Sequence, residues 1–202
     1  MTSRYRFSPD YRLIVRLSQL TMAAITITWA SRADWLSCSV GFCALVISGL
    51  PLSLARLGNM RKPTSQVLAL LLTAHVGLGM FLGLYEHSAL YDKFMHVLGS
   101  AAIATLAHSA LLAYGERNGL RMPASFIASI TLSTTMSAGA LWEIFEFSID
   151  QTGLFYAQRG LTDTMIDLVA DVFGAALAVP LLLANKGGSA SHEPVTEWRS
   201  AP

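Results

Sequence analysis

The chain has 202 residues, 53% of them hydrophobic and only 13% charged, against about 25% charged in an average soluble domain. Its formal net charge of +1 provides no basic footprint for nucleic acid, and its length suits one domain. This composition excludes an ordinary soluble globule and points to an integral membrane protein.

Crossing a hydrocarbon core about 30 Å thick takes roughly 20 helical residues, and six segments qualify: Leu13–Ala30, Trp35–Leu54, Val67–Leu84, Lys93–Tyr114, Ala124–Ser148 and Thr164–Ala184. The predicted fold is all-α, a polytopic bundle of six transmembrane helices over residues 13–185. A basic segment, 1–12, precedes it, and a polar, flexible tail, 186–202, follows it. Breakers mark the short links: Gly58-Asn59 with Pro63, Gly115 to Pro123, and Gln151-Thr152-Gly153.

The first span follows a basic start and ends near Ser31-Arg32-Ala33, a loose signal-peptide pattern. Arg16 and Gln19 interrupt its apolar run and Arg32 suits cleavage poorly, so it reads as a retained span. Cys38 and Cys43 in the second span lie five residues apart, point to different sides and read as packing residues. The third span carries His75 near its middle.

The fourth span enters at Asp92, and His96, Ser100, Ala104 and His108 follow at steps of four, which share a helix face. Gly99 to Ala102 are small enough for close helix approach. On the fifth span Ser125, Ser129, Ser133 and Ser137 form a similar ladder, read as interhelical packing continued by Gly139 and Ala140 up to Glu143 and Glu146. The sixth carries Asp163, Asp167 and Asp171 on one face, about 6 Å apart in depth. Asp163 also suits the helix N-terminus. Gly174, Ala175 and Ala178 continue that stripe, and Pro180 is expected to kink the helix.

Lys and Arg in short loops set orientation. With the N-terminus inside, eleven lie on the inner side (Arg4, Arg6, Arg12, Arg16, Arg56, Arg61, Lys62, Arg117, Arg121, Lys186, Arg199) and three outside (Arg32, Lys93, Arg159). Both termini are therefore predicted cytoplasmic. Trp29, Trp35, Tyr85, Tyr91, Phe155 and Tyr156 fall near the outer interface, while His87 and Glu86 are expected to be solvated in an outer loop. In this topology the acids of spans four, five and six converge at the outer face.

A carboxylate near hydrocarbon costs roughly 2.5–3.5 kcal/mol on insertion scales and usually pairs, lines a cavity or does chemistry. Asp92, His96, Glu143, Glu146, Asp163 and Asp167 are the candidate ligands of a divalent Mg, Mn, Zn or Fe ion, since carboxylates with an imidazole suit such ions. The spacing matches no specific metal motif, and roles within the set stay open. Lys93 and Arg159 beside the cluster could hold the phosphate of a lipid, or simply pair with Asp92 and Asp163. A His75–Asp171 pair at mid-depth would support proton transfer. Three functions stay open: a metal-dependent hydrolase or transferase acting on a lipid or amphiphile, a proton- or ion-coupled transporter, and a structural membrane protein whose acids tie helices together.

The runs YDKFMHVLGSAAIATL, ALWEIFEFSID and GLTDTMIDLVADVFGAAL resemble the YjdF-type family of bacterial inner-membrane proteins of unknown function, over about residues 66–182. Asp92, His96, Trp142, Glu143, Glu146, Asp163, Thr164, Asp167, Asp171 and Gly174 carry the resemblance. It implies a multi-pass fold in the bacterial inner membrane and no established reaction. A more distant likeness is to VanZ-like membrane proteins, which share an Asp-Lys-x-x-His start to a helix but lack the Trp-Glu-x-x-Glu acids in this form.

Overall fold

The computed structural model describes residues 9–57, 62–154 and 156–184, with side chains from residue 13 except at 50–57 and 62–64. The basic residues 1–8, Gly58-Asn59, Arg61, Phe155 and the tail lie outside the described residues. Among the described residues every regular element is helical. The helices are α1 (Pro9–Ser31), α2 (Trp35–Leu57), α3 (Lys62–Thr73) with a π-helical continuation (Ala74–Phe81), α4 (Leu84–His87), α5 (Ala89–Arg117), α6 (Ala124–Asp150) and α7 (Leu161–Ala184). Four stretches are long and apolar enough to cross a membrane: Leu13–Ser31, Ala89–Arg117, Ala124–Asp150 and Leu161–Ala184. Two shorter apolar stretches, Trp35–Gly49 and Ser65–Phe81, lie between the first two of these. Each predicted span therefore falls on a helix.

The helices form two groups joined by α3 and α5. In the first, α1, α2 and α3 pack around Met22, Ile25, Trp29, Ala44 and Val76. The second is α5, α6 and α7, with α5 against α7 as the most extensive contact. This group is polar inside and apolar outside. Its buried residues include Asp92, His96, Ser100 and His108 on α5, Thr131, Thr135 and Glu143 on α6, and Thr164, Asp167 and Asp171 on α7. Phe94, Leu141, Ile144, Phe147, Val169, Phe173 and Leu181 face outward. Hydrocarbon is as apolar as leucine, so burying aliphatic side chains gains little in a membrane, whereas polar groups must find partners inside the protein.

Two glycines set the spacing of this group. A Cβ at Gly174 would meet the backbone of Val97, so α7 touches α5 main chain there. A Cβ at Gly139 would overlap the Asp171 carboxylate, which lets α6 close over that acid. Gly99 has open space around its Cβ position and is not the point of close approach. Pro180 lies inside the continuous helix α7.

The serine ladder of α6 is a correction. Ser125, Ser129, Ser133 and Ser137 are exposed, and the packed face is Ile127, Thr131, Thr135, Gly139 and Glu143. The two ladders lie two positions apart, about 200° around the helix, and burial of Glu143 selects the threonine face. Ser133→Leu is therefore expected to change stability by no more than about 0.5 kcal/mol. Thr135→Leu should cost about 1–3 kcal/mol by overfilling a packed interface. Thermal unfolding in detergent distinguishes the two.

Short local bonds bring the functional ends together. The Ser88 hydroxyl accepts from Tyr91 N at 3.2 Å and starts α5, which puts Asp92 in its first turn. In the α6–α7 link, the Asp150 carboxylate accepts from Ala157 N and Gln158 N, each at 2.8 Å. This staple delivers Arg159 and the start of α7 to the same end as Asp92.

Candidate metal centre

Asp92 and His96 stand one turn apart on α5, Asp163, Asp167 and Asp171 occupy successive turns of α7, and Glu143 lies two turns from the end of antiparallel α6. The His96 imidazole is the hub. Its Nδ1 lies 3.2 Å from Asp171 Oδ1, which also accepts from Ser100 Oγ at 2.6 Å. Its Nε2 faces Asp167 Oδ1 at 3.6 Å, Glu143 Oε1 at 3.7 Å and Asp92 Oδ1 at 4.0 Å.

Lys93 holds the outer edge. Its Nζ lies 2.5 Å from Asp163 Oδ1, 2.7 Å from Asp167 Oδ2 and 3.3 Å from Asp92 Oδ2. Arg159 Nη1 stands 3.7 Å from Asp92 Oδ2, and Nη2 donates to the Tyr85 carbonyl. Asp163 also accepts from Arg159 N at 3.2 Å, a bond back to the residue two positions before α7 begins. Both flanking cations are thus engaged with carboxylates, the pairing alternative to holding a phosphate.

Several oxygens lack a hydrogen-bond partner although they are buried: both of Glu143, Oδ1 of Asp167 and Oδ2 of Asp171. Asp167 is only 2% exposed and Glu143 4%. An unpaired buried carboxylate oxygen is costly. Three of these oxygens belong to groups that reach toward His96 Nε2 or lie beside it.

One imidazolium N–H serves one acceptor at about 2.7–3.2 Å. Here three carboxylate oxygens stand off Nε2 at 3.6–4.0 Å, outside that range. Ligands about 2.1 Å from a shared ion would stand about 3.0–3.5 Å apart, so slight inward movement would seat one. One ligand atom each of Asp92, His96 and Asp167 lies within 4.8 Å of the others. Asp171 engages Nδ1 and leaves Nε2 toward the other carboxylates, the carboxylate–histidine pairing common around metals.

Of the six candidate ligands, the fold gathers Asp92, His96 and Asp167, with Glu143 adjoining. Asp163 belongs to Lys93. Glu146 is half-buried and accepts from Trp142 Nε1 at 2.9 Å, outside the gathered set. The expected His75–Asp171 pair does not form. Asp171 serves His96, while His75 Nδ1 lies 2.7 Å from Tyr85 Oη and its ring packs edge-on against Tyr85 and Trp142. Burial pushes the Tyr85 phenol well above its ordinary range, so Tyr85 stays protonated beside His75. The supporting pair of Ser100 and Asp171 was missed as such, although its signal is present: each lies one turn past a candidate ligand on the same face.

The predicted membrane protein (DUF2238) family matches residues 12–186. An uncharacterized protein of Thermotoga maritima is 32% identical over 115 residues, covering 56% of this chain and 58% of that protein, so the chain is matched over little more than half of its relative's length. No solved structure matches. The family match covers most of the sequence, and the chain belongs to the predicted membrane protein (DUF2238) family.

Proposed function

We propose that this protein is a multi-pass membrane metalloprotein that binds one divalent ion through Asp92, His96 and Asp167, and uses it to hydrolyse or transfer the polar head of a lipid or other amphiphile. One observation carries the reading: His96 Nε2 faces three carboxylate oxygens at 3.6–4.0 Å while Asp171 occupies Nδ1. One imidazole with carboxylates suits Mn²⁺, Fe²⁺ or Zn²⁺ better than Mg²⁺, which is usually held by oxygen ligands and water. In this reading six helices span the bacterial inner membrane, with both termini cytoplasmic and the centre opening to the outer face. The bias of Lys and Arg supports that orientation. The sequence likeness supports a YjdF-type subgroup within the family.

A bound ion would supply Lewis acidity to a water at this site. Glu143, buried beside the triad with the Thr164 side chain against its carboxylate, would take the proton of that water. Asp171 and Ser100 fix the imidazole plane. Exposed Leu90, Leu154 and Leu161 at this end give an amphiphile's chain an apolar approach. Glu143→Gln is accordingly expected to retain at least half of the bound metal and to lower turnover by about 10²–10⁴, the usual contribution of general acid–base catalysis. The assay is release of headgroup from phospholipid and polyprenyl-phosphate substrates in detergent. Loss of metal and turnover together would contradict the role given to Glu143.

Ion transport is the second reading, favoured by the polar seam that continues inward. Thr135, Thr131 with an unpaired buried hydroxyl, and His108 are all buried, and His108 lies about 18 Å along α5 from His96. Thr131→Val should leave an outer-face hydrolase intact and impair a transporter, as measured by ion flux into proteoliposomes.

A further inference from the structure

Lys93 does more than neutralise nearby acids. An ammonium has three N–H donors, and here Nζ meets three carboxylates, those of Asp163, Asp167 and Asp92. Asp92 and Asp167 divide their oxygens: each Oδ2 faces the ammonium, and each Oδ1 faces His96 Nε2. Two carboxylates so divided between two positions are the bridges of a two-cation centre, whose ions in two-metal enzymes stand about 3.5–4 Å apart. In this chain one of those positions is filled by a side chain.

We propose that Lys93 is a built-in second cation that restricts the centre to a single divalent ion and aims the Oδ1 atoms of Asp92 and Asp167 at it. This rests on the metal reading above. Charge supports it. Asp92, Glu143, Asp163, Asp167 and Asp171 carry five formal negative charges, and one divalent ion with Lys93 and Arg159 supplies four positive ones. A second divalent ion beside Lys93 would turn this to six positive charges against five and would need the space the ammonium occupies. Unlike a free ion, the ammonium is tethered at the outer end of α5 and cannot be washed out by chelators, so the bridging acids stay oriented when the divalent site is vacant.

The test is Mn²⁺ stoichiometry of the full-length protein in detergent, by mass spectrometry after desalting and by electron paramagnetic resonance. Wild type is expected to take one Mn²⁺ per chain even at millimolar Mn²⁺, with an uncoupled spectrum. Lys93→Met, which keeps the apolar stem, is expected to take two with a spin-coupled signal, and Lys93→Arg to take one. Two ions in wild type would overturn the proposal whether or not Lys93→Met folds. A folded Lys93→Met that still takes one ion would overturn it too, leaving the single-metal reading intact. No ion in wild type but one in Lys93→Met would overturn both the metal reading for the native chain and the proposal, because Lys93 would then exclude every ion and not merely a second. No ion in either would overturn both.

Discussion

His96→Ala is expected to reduce divalent-ion affinity by more than 100-fold while leaving the helix content unchanged. His96 supplies the one nitrogen that faces the carboxylate oxygens of Asp92, Asp167 and Glu143. Its loss leaves carboxylates from three helices with no common partner. Asp171→Asn should have a smaller effect, about 10–100-fold, because it disturbs the hydrogen bonds that fix the ring from outside and removes no ligand, the usual scale for such a change. Competition against a chromophoric chelator measures both. If the acids served only to tie helices together, His96→Ala would instead lower thermal stability with no metal phenotype. Circular dichroism on the same samples separates these outcomes.

Gly174→Val should be the most disruptive change away from the centre. Its side chain would run into the main chain at Val97, one residue past His96. Backbone cannot swing aside as a flexible side chain can, so α7 must move away from α5. Overpacking of this kind costs about 1–3 kcal/mol. The movement also separates Asp167 from Asp92 and Lys93, so metal should be lost along with stability. Gly174→Ala, with one methyl to place, should lose less of both. Gly139→Ala should act more locally, since its Cβ would fall on the Asp171 carboxylate and not on backbone. Metal affinity should drop there with little loss of stability, the reverse of the balance at Gly174.

Much of this architecture was legible from sequence for simple reasons. Apolar runs such as Ala124–Ser148 and Thr164–Ala184 are bounded by turn residues, and the observed helices extend them by only a few residues. The acids were legible as a site because charge inside such runs is costly unless it has partners. Steps of four put Asp92 with His96, and Asp163 with Asp167 and Asp171, before any fold was known.

What was not legible depends on neighbours far away in the chain. Period alone could not choose between the serine and threonine faces of α6, because both repeat every four residues. The choice falls to the helices packed against Glu143. Asp171 could have served His75 or His96 by depth. Packing of α7 on α5, permitted by Gly174, decided for His96. Pairing of Lys93 and Arg159 with Asp92 and Asp163 was one of the sequence readings, but nothing local announced that Lys93 also reaches Asp167, 74 positions later in the sequence. The π-helical stretch Ala74–Phe81 was also missed. It adds one residue per turn, closed by bonds such as Leu82 N to Gly77 O at 2.9 Å, and its Ala74 carbonyl accepts from Tyr91 Oη at 2.8 Å on another helix.

The most direct test of the central claim is the metal content of detergent-purified wild-type protein beside Asp167→Asn, by mass spectrometry after growth with added manganese, iron and zinc. The account predicts about one transition-metal ion per wild-type chain and a tenth of that or less in a mutant that still elutes as a folded species. Wild-type protein that carries no metal under any supplement, while remaining folded, would contradict it and leave the buried acids of α5, α6 and α7 to ion transport or to holding helices together.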